Sequence, residues 1–461
     1  MRVAMAFFAV LLFAPRAAFD ADAAASEAVR PNLLLIVADD LGYGDLGCCG
    51  REDVLTPHLD KLAAEGVRAT HFYVTWPACT PSRGSILTGR YPQRNGLYEM
   101  IRNDLVNYGH RYTEAEYAIS PEMTLGLDLR ERTIADVLKA AGYACGIVGK
   151  WDSGRARRFL PLQRGFDVFY GFANTDIDYW THERYGIPSM FRGNEPIKEE
   201  GYATDLFGRE AERFLREHAG RPFFLYVAFN APHGASNLEK DSLQAPAETL
   251  ARYAGGESGA RATKYLAMIT RMDDMIGRLL ATLDELRLSE RTLVLFTSDN
   301  GGAGPARNVP LQGRKATLWE GGVRVPLIAR YPGRLPAGRT CDEFLTTLEL
   351  FPTCAALGGT EVPEQIALDG YDMLPVLAGA GPSPRASMFW EHRGGRAARL
   401  GRFKWLDAGK ATGLYDVVAD PGETRDLSVQ HPEQVRELEA AWAAWRREMD
   451  AAEPRGPFRD Y

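Results

Sequence analysis

The chain is poor in what several function classes require. Its 461 residues include only 6 cysteines and 8 histidines. Cys48 and Cys49 are adjacent, Cys145 lies in an apolar run, and Cys341 and Cys354 come far downstream. Six cysteines are too few for a disulfide framework in a chain this long, although one bridge of unspecified pairing is compatible with them. With no CxxC pair and no Cys/His cluster, nothing suggests a zinc module. Basic excess is also missing: 54 Lys and Arg stand against 61 Asp and Glu, a formal charge of −7. That argues against a nucleic-acid partner, which needs a basic face. Beyond the N-terminus no apolar run approaches the roughly 20 residues of a membrane span. Internal repeats and low-complexity tracts are absent too.

What is present is a 45% hydrophobic composition, ample for a large core. Arg2 precedes the apolar run Ala4 to Ala14, and small residues such as Ala21-Asp22-Ala23 follow. Residues 1–25 therefore read as a signal peptide, with a buried N-terminal helix as the alternative. The mature chain is expected to be exported, periplasmic or secreted, with no membrane partner.

Four continuously apolar stretches read as strands buried on both faces: Asn32 to Ala38, Tyr143 to Gly149, Pro222 to Phe229 and Thr292 to Ser298. Helical patterns precede the last three, within residues 133–143, 205–218 and 272–286. The alternation predicts an α/β fold, a large mixed and mostly parallel sheet sandwiched by helices. From about Gly379 the texture changes to the short strand-like segments "ASMFWEH", "RFKWLDA" and "GLYDVV". A helical stretch then carries Val435, Leu438, Trp442, Trp445 and Met449 on one face. Residues 26–378 are thus expected to form the catalytic domain and residues 379–461 a smaller α+β domain.

Ligands of open α/β sheets bind beyond the carboxyl ends of the strands. There the first strand runs into Asp39 and Asp40, the second into Lys150, the third into His233 and the fourth into Asp299 and Asn300. Each alone fits a turn, a cap or a solvated end. Together, Asp39, Asp40, Asp299 and Asn300 offer only oxygen ligands, a set that suits Ca²⁺ or Mg²⁺ rather than zinc. Arg83, Lys150, Lys315 and His233 would surround the cation with positive groups, so a tetrahedral oxyanion or its ester is the expected ligand. The stretch "CTPSRGSILTGR" adds Cys79 ahead of a predicted helix, with Arg83 one turn in. Both features favour a lowered thiol pKa. Yet a soft thiolate is a poor partner for a hard cation, and an ordinary buried cysteine remains an alternative.

"CTPSRGSILTGRYPQRNGL" resembles the signature of the type I sulfatases, members of the alkaline-phosphatase-like superfamily. "PNLLLIVADDLGYGDLGCCG", "GYACGIVGKW", "FFLYVAFNAPHG", "SDNGG", "KATLWEGGVRVP" and "GLYDVVADPGETRDL" extend the likeness from about Pro31 to about Leu427. The resemblance implies that Cys79 is oxidised to formylglycine by a formylglycine-generating enzyme. It implies one calcium ion held by Asp39, Asp40, Asp299, Asn300 and the modified residue 79. Arg83 would orient the aldehyde hydrate, Lys150 and Lys315 would grip sulfate, and His233 with Lys315 would protonate the leaving alcohol. The family reads Gly-Lys-Trp-His-Leu-Gly where this chain has "GKWDSG", so Asp152 stands in a histidine's place. Asp152 is expected to substitute as a base; impaired turnover, or a side chain pointing elsewhere, is the alternative.

Residues 160–183 are similar to the corresponding stretch of arylsulfatase B-like enzymes and N-acetylgalactosamine-4-sulfatases. There Asp178, Tyr179, Trp180 and His182 are candidate sugar-facing groups, unless the segment simply packs on the sheet. A sulfated polysaccharide or its oligosaccharides is the expected substrate. Phosphoester hydrolysis and non-catalytic binding of sulfated glycans are the competing functions.

Overall fold

The structure is a computed structural model describing residues 30–453 and 455, apart from 364 and 410. The expected signal peptide lies outside the described residues. Eleven strands form the main sheet. They are β1 (Asn32–Ala38), β2 (Val67–Tyr73), β3 (Ala144–Lys150), β4 (Val168–Phe172), β5 (Met190–Arg192) and β6 (Glu195–Pro196). After these come β7 (Phe223–Ala228), β8 (Thr292–Ser298), β9 (Arg324–Arg330), β10 (Arg339–Cys341) and β11 (Leu345–Thr346). Their order across the sheet is β10-β2-β9-β8-β1-β7-β3-β4-β5-β6, with β11 also on β2. The central run β8-β1-β7-β3-β4 is parallel. Strand β9 is antiparallel to both β8 and β2, and β5 to β4.

Strand β1 shows why the predicted runs are unbroken in apolarity. Leu33, Leu35 and Val37 enter one hydrophobic core, while Leu34, Ile36 and Ala38 enter the other. Successive side chains leave opposite faces, and both faces are covered. Helix α1 (Cys79–Thr88) and helix α2 (Ile134–Ala140) pack in the first core, and α3 (Ala203–Glu217) and α4 (Ala260–Glu285) in the second. Helix α4 is longer than the pattern at 272–286 indicates. Its first part carries Tyr265, Leu266 and Ile269 into the same core.

Gly149, one residue before Lys150, holds φ 105, and a Cβ there would lie 2.0 Å from the Ala228 carbonyl oxygen. Only glycine allows β3 to approach β7 that closely at the site's edge.

The C-terminal sheet is antiparallel, in the order β12 (Ser387–His392), β13 (Gly395–Leu400), β14 (Phe403–Ala408) and β15 (Ala411–Asp416). Helix α5 (Pro432–Ala451) buries Leu438, Trp442, Trp445 and Met449, with Val435 partly buried. These residues share the core of the first face of the main sheet rather than forming one of their own. The joint is also polar. Trp442 Nε1 donates to the Trp390 carbonyl (2.9 Å), and Trp390 Nε1 donates to the Val74 carbonyl (2.8 Å).

An ion cluster crosses the same joint. Lys404 Nζ on β14 lies 3.0 Å from Glu320 Oε1 and 2.9 Å from Glu423 Oε1, and all three side chains are buried. Tyr73 at the end of β2 donates to Glu320 Oε2 (2.6 Å), and Glu423 Oε2 accepts the Glu320 backbone N–H (2.6 Å). Removing one member of a buried ion cluster leaves the others uncompensated. Lys404→Met should therefore lower unfolding stability by about 3–5 kcal/mol, read as a shift in the urea midpoint. A midpoint unchanged from wild type would contradict this account of the joint.

Candidate functional site

Strands β3, β7, β1 and β8 lie side by side and parallel, so their carboxyl ends open on one edge. Asp39 and Asp40, Lys150, His233, and Asp299 and Asn300 are thereby brought together. Strand β2 runs the same way and delivers the chain to α1. Strand β9 runs the opposite way, so the loop ahead of it carries Lys315 to the same edge. Three non-glycine residues here have left-handed backbone: Asp40 (φ 61), Asp152 (φ 49) and Ala316 (φ 63). Such strain is held only where the surroundings fix it, and it gathers at functional sites.

Cys79 is the first residue of α1 and is fully buried. Its Sγ lies 3.2 Å from Asp39 Oδ1 and 3.1 Å from Lys315 Nζ. Arg83, one turn along, reaches Asp299 Oδ2 through Nε (2.9 Å) and Nη2 (2.8 Å). Lys150 Nζ donates to Asp39 Oδ2 (2.6 Å), and Lys315 Nζ donates to Asp40 Oδ1 (2.6 Å). Burial alone would raise the pKa of both aspartates. Lys150, His233 and Arg83 hold Asp39 below the ordinary carboxylate range, and Lys315 and His233 do the same for Asp40. Burial opposes charge on Lys150 and Lys315 also, but their aspartate partners keep both ammonium groups protonated.

The thiol departs from expectation. Burial, Asp299 and Asp39 push the pKa of Cys79 well above that of a free thiol. Loss of solvent and two carboxylates outweigh the helix end, Lys150 and Lys315. The lowered pKa expected from the sequence does not hold.

The oxygen donors of the site fit a hard cation, whereas the unmodified thiol and the imidazole beside them do not. Asp39, Asp40, Cys79 and His233 each present a ligand atom within 4.8 Å of the others. Asn300 Nδ2 donates to Asp40 Oδ1 (2.8 Å) and to the Gly301 carbonyl (2.9 Å). Its buried Oδ1 is left with no hydrogen-bond partner. A buried amide oxygen among carboxylates is what an oxygen-seeking ion requires. His233 Nδ1 lies 2.7 Å from the Gly234 carbonyl, which can only accept, so that nitrogen carries a proton. Its Nε2 faces the site, 3.6 Å from Asp40 Oδ2.

Asp152 points inward. Its Oδ1 accepts from Thr80 Oγ1 (2.8 Å), and its Oδ2 is buried, 3.6 Å from Lys150 Nζ and without a hydrogen bond. Burial raises its pKa to about 6, against the pull of Lys150, Arg83 and the Thr80 hydroxyl.

Three of the four sugar-facing candidates need correction. Asp178 accepts from the Trp180 and Thr181 backbones (2.8 Å each) and from the side chains of Asn237 (2.8 Å) and Gln244 (2.7 Å). Tyr179 is fully buried, with its hydroxyl shared between the Asn230 and His233 carbonyls (2.8 Å each). His182 is buried with Nε2 at 2.9 Å from the Gly201 carbonyl. These groups tie the segment to the protein, and Trp180 alone is open, at 47% exposure. Sequence reasoning missed Asp176, whose Oδ2 lies 4.0 Å from His233 Nδ1, and Tyr226, whose hydroxyl is 3.5 Å from Arg83 Nη1. It missed Thr80 as well. All six cysteines are free, so no bridge forms.

A profile of the family described as Sulfatase matches residues 31–360. The chain is 36% identical to N-acetylgalactosamine-6-sulfatase of Canis lupus familiaris, over 81% of this chain and 71% of that one. It is 36% identical to arylsulfatase A of Homo sapiens, over 88% of this chain and 81% of that one. Among solved structures, Ps i-CgsB in complex with k-i-k-neocarrahexaose matches with a TM-score of 0.81 and 30% identity, covering 90% of this chain and 92% of that one. The PsFucS1 sulfatase from Pseudoalteromonas sp. matches with a TM-score of 0.74 and 26% identity, covering 92% of each chain. A 6-sulfatase and arylsulfatase A among the relatives leave the expected 4-sulfatase sub-group approximate.

Asp152 gives a pH signature. Its carboxyl has a pKa of about 6 folded, against an ordinary aspartate value of 3.8. Between these pH values the folded chain keeps a proton that the unfolded chain has lost, so this group lowers stability as pH rises through the window. Asp152→Asn should gain on wild type from pH 4 to pH 6.5 by on the order of 2 kcal/mol, measured by urea unfolding at each pH. A constant difference between the two proteins across that range would contradict the assignment.

Proposed function

The chain belongs to the sulfatase family and is a sulfuric ester hydrolase, and from that premise we propose that it desulfates a carbohydrate through residue 79, matured from cysteine to formylglycine, beside a bound calcium ion. The observation that carries this reading is the state of Cys79. Its Sγ donates to Asp39 Oδ1 (3.2 Å) and lies 3.1 Å from Lys315 Nζ, and burial, Asp299 and Asp39 raise the thiol's pKa, which disfavours a thiolate nucleophile at this position.

Maturation by a formylglycine-generating enzyme would supply, on hydration, a pair of hydroxyls, one to attack sulfur and one to drive sulfate off. Asp39, Asp40, Asp299 and Asn300 would hold the calcium, which would balance the carboxylates and polarise sulfuryl oxygens. Lys150 and Lys315, both kept protonated, bind the sulfate oxygens and stabilise the charge that develops on them. Arg83, anchored on Asp299, fixes the first turn of α1 and so the position of residue 79. His233 keeps its Nδ1 proton on the Gly234 carbonyl and presents Nε2 to the leaving oxygen, to which it passes a proton. Asp152 accepts a proton near residue 79 through its free Oδ2, in the place of the family histidine. The names of the relatives and neighbours support a sulfated amino sugar or galactan chain as substrate. Export of the mature chain completes the proposal; no helix among the described residues is long and apolar enough to cross a membrane.

Sulfate release from 4-nitrophenyl sulfate and from a sulfated N-acetylgalactosamine oligosaccharide tests the reading. The peptide containing residue 79 should weigh about 18 Da less than its cysteine form, and Cys79→Ala should lower release by at least about 10³-fold. Chelation should abolish activity and Ca²⁺ should restore it. An active preparation carrying only the unmodified thiol would overturn the proposal.

Asp152 has its own test. Asp152→Ala should lower kcat by about 10²-fold or more and remove an acid limb of the pH profile near pH 6, whereas Asp152→His should recover part of the rate. Wild-type turnover in the alanine variant would discard Asp152 as a base.

A further inference from the structure

A cavity of about 270 Å³ opens directly beside the reactive centre. Ala78, adjacent to Cys79, and Lys315 form its inner wall. Its outer wall comes from elsewhere: Arg102, Arg314, and the turn that bears His392 and Arg393. Four cations thus line a small volume against one acid, Glu99. Arg102 pairs with Asp104 (2.6 Å), and Arg393 stands 3.8 Å from Glu99. Arg314 is exposed and has no ion-pair partner among the described residues.

The wall also holds polar atoms with nothing to bond. His392 is 7% exposed, and neither of its ring nitrogens has a hydrogen-bond partner. Behind it, outside the cavity lining, Trp76 packs edge-on with ring centres 5.5 Å apart. Burial and the neighbouring Arg393 keep His392 neutral, so it has one ring N–H to donate, and that unpaired donor in the cavity wall points to a ligand that accepts from it. The turn itself is built to project charge. Arg393 (φ 48) and Gly394 (φ 80) join the paired residues His392 and Gly395, a two-residue hairpin that favours Asn-Gly. An arginine accepts the left-handed position here and extends 58% exposed into the cavity mouth.

We propose that this cavity is a subsite for a second anionic group, sulfate or carboxylate, on the same saccharide whose scissile sulfate lies at residue 79. The chain is then selective for multiply charged glycans, and the C-terminal sheet supplies that selectivity through His392 and Arg393. The inference deepens the sulfatase reading and rests on it.

Disaccharides carrying beside the scissile sulfate a second sulfate, a carboxylate or no further charge test it, with 4-nitrophenyl sulfate as the activity control. In wild type, kcat/KM for one or both doubly charged disaccharides should exceed that for the singly charged one by tenfold or more, and comparing the two identifies the preferred group. Arg314→Gln combined with Arg393→Asn, where asparagine keeps the left-handed turn, should reduce that ratio about tenfold, mainly through KM. Added salt should raise the wild-type KM for the preferred disaccharide more steeply than that of the double variant. A wild-type ratio near one, or a ratio that the double variant leaves unchanged, would overturn the subsite while leaving the sulfatase reading intact. No sulfate from any substrate would instead overturn the reading beneath it, and the subsite with it.

Discussion

The structure depends on the neutralisation of buried carboxylates. Asp39, Asp40 and Asp299 converge where water does not reach, and ions taken out of water cost several kcal/mol each unless compensated. Three cationic side chains answer them, each from a different part of the chain. Lys150 comes from the end of a neighbouring strand, Arg83 from the first turn of a helix, and Lys315 from a loop across the edge. The oxygen of Asn300, still unpaired, marks where a further positive charge belongs. The parallel order of four adjacent strands is what makes this crowding possible, and the left-handed backbones at Asp40 and Asp152 are its local cost.

The same logic extends past the reactive centre. Glu320 closes the loop that carries Lys315, and it is gripped by Tyr73 from the main sheet and by Lys404 from the C-terminal sheet. Glu423, just after the last small strand, fastens the Glu320 backbone. A contact that looks like domain packing therefore also fixes the cation that lies beside Cys79 and Asp40. The shared hydrophobic core makes the two sheets one mechanical body.

How much of this the sequence carries depends on where each residue's partners lie. Strands β1 and β8 have the ends that their apolar runs predict, because burial on both faces leaves no ambiguity. Strands β2 and β9 hold Arg68, His71, Arg324 and Arg330, and the small strand β13 holds Arg396 and Arg399. These charges hide strand character that only the pairing reveals. The metal-ligand candidates follow their strands directly, so the rule for strand ends brings them together. The misread residues are those whose partners are remote in sequence. Asp178 is consumed by Asn237 and Gln244, and the Cys79 thiol is governed by burial, Asp299 and Asp39 rather than by its own helix. Asp176 sits two residues from Asp178 with no pattern to single it out, and Tyr226 lies in an apolar strand whose sequence indicates only core.

Because Lys404, Glu320 and Tyr73 pin the C-terminal sheet against the loop of Lys315, the entrance to the reactive centre is a fixed frame rather than a hinged cover. A fixed frame keeps the charges on its rim at set distances before any bond is strained. The hairpin at 393–394 stands on that frame outside the buried carboxylate cluster, so its side chains can change without disturbing Asp39, Asp40 or Asp299.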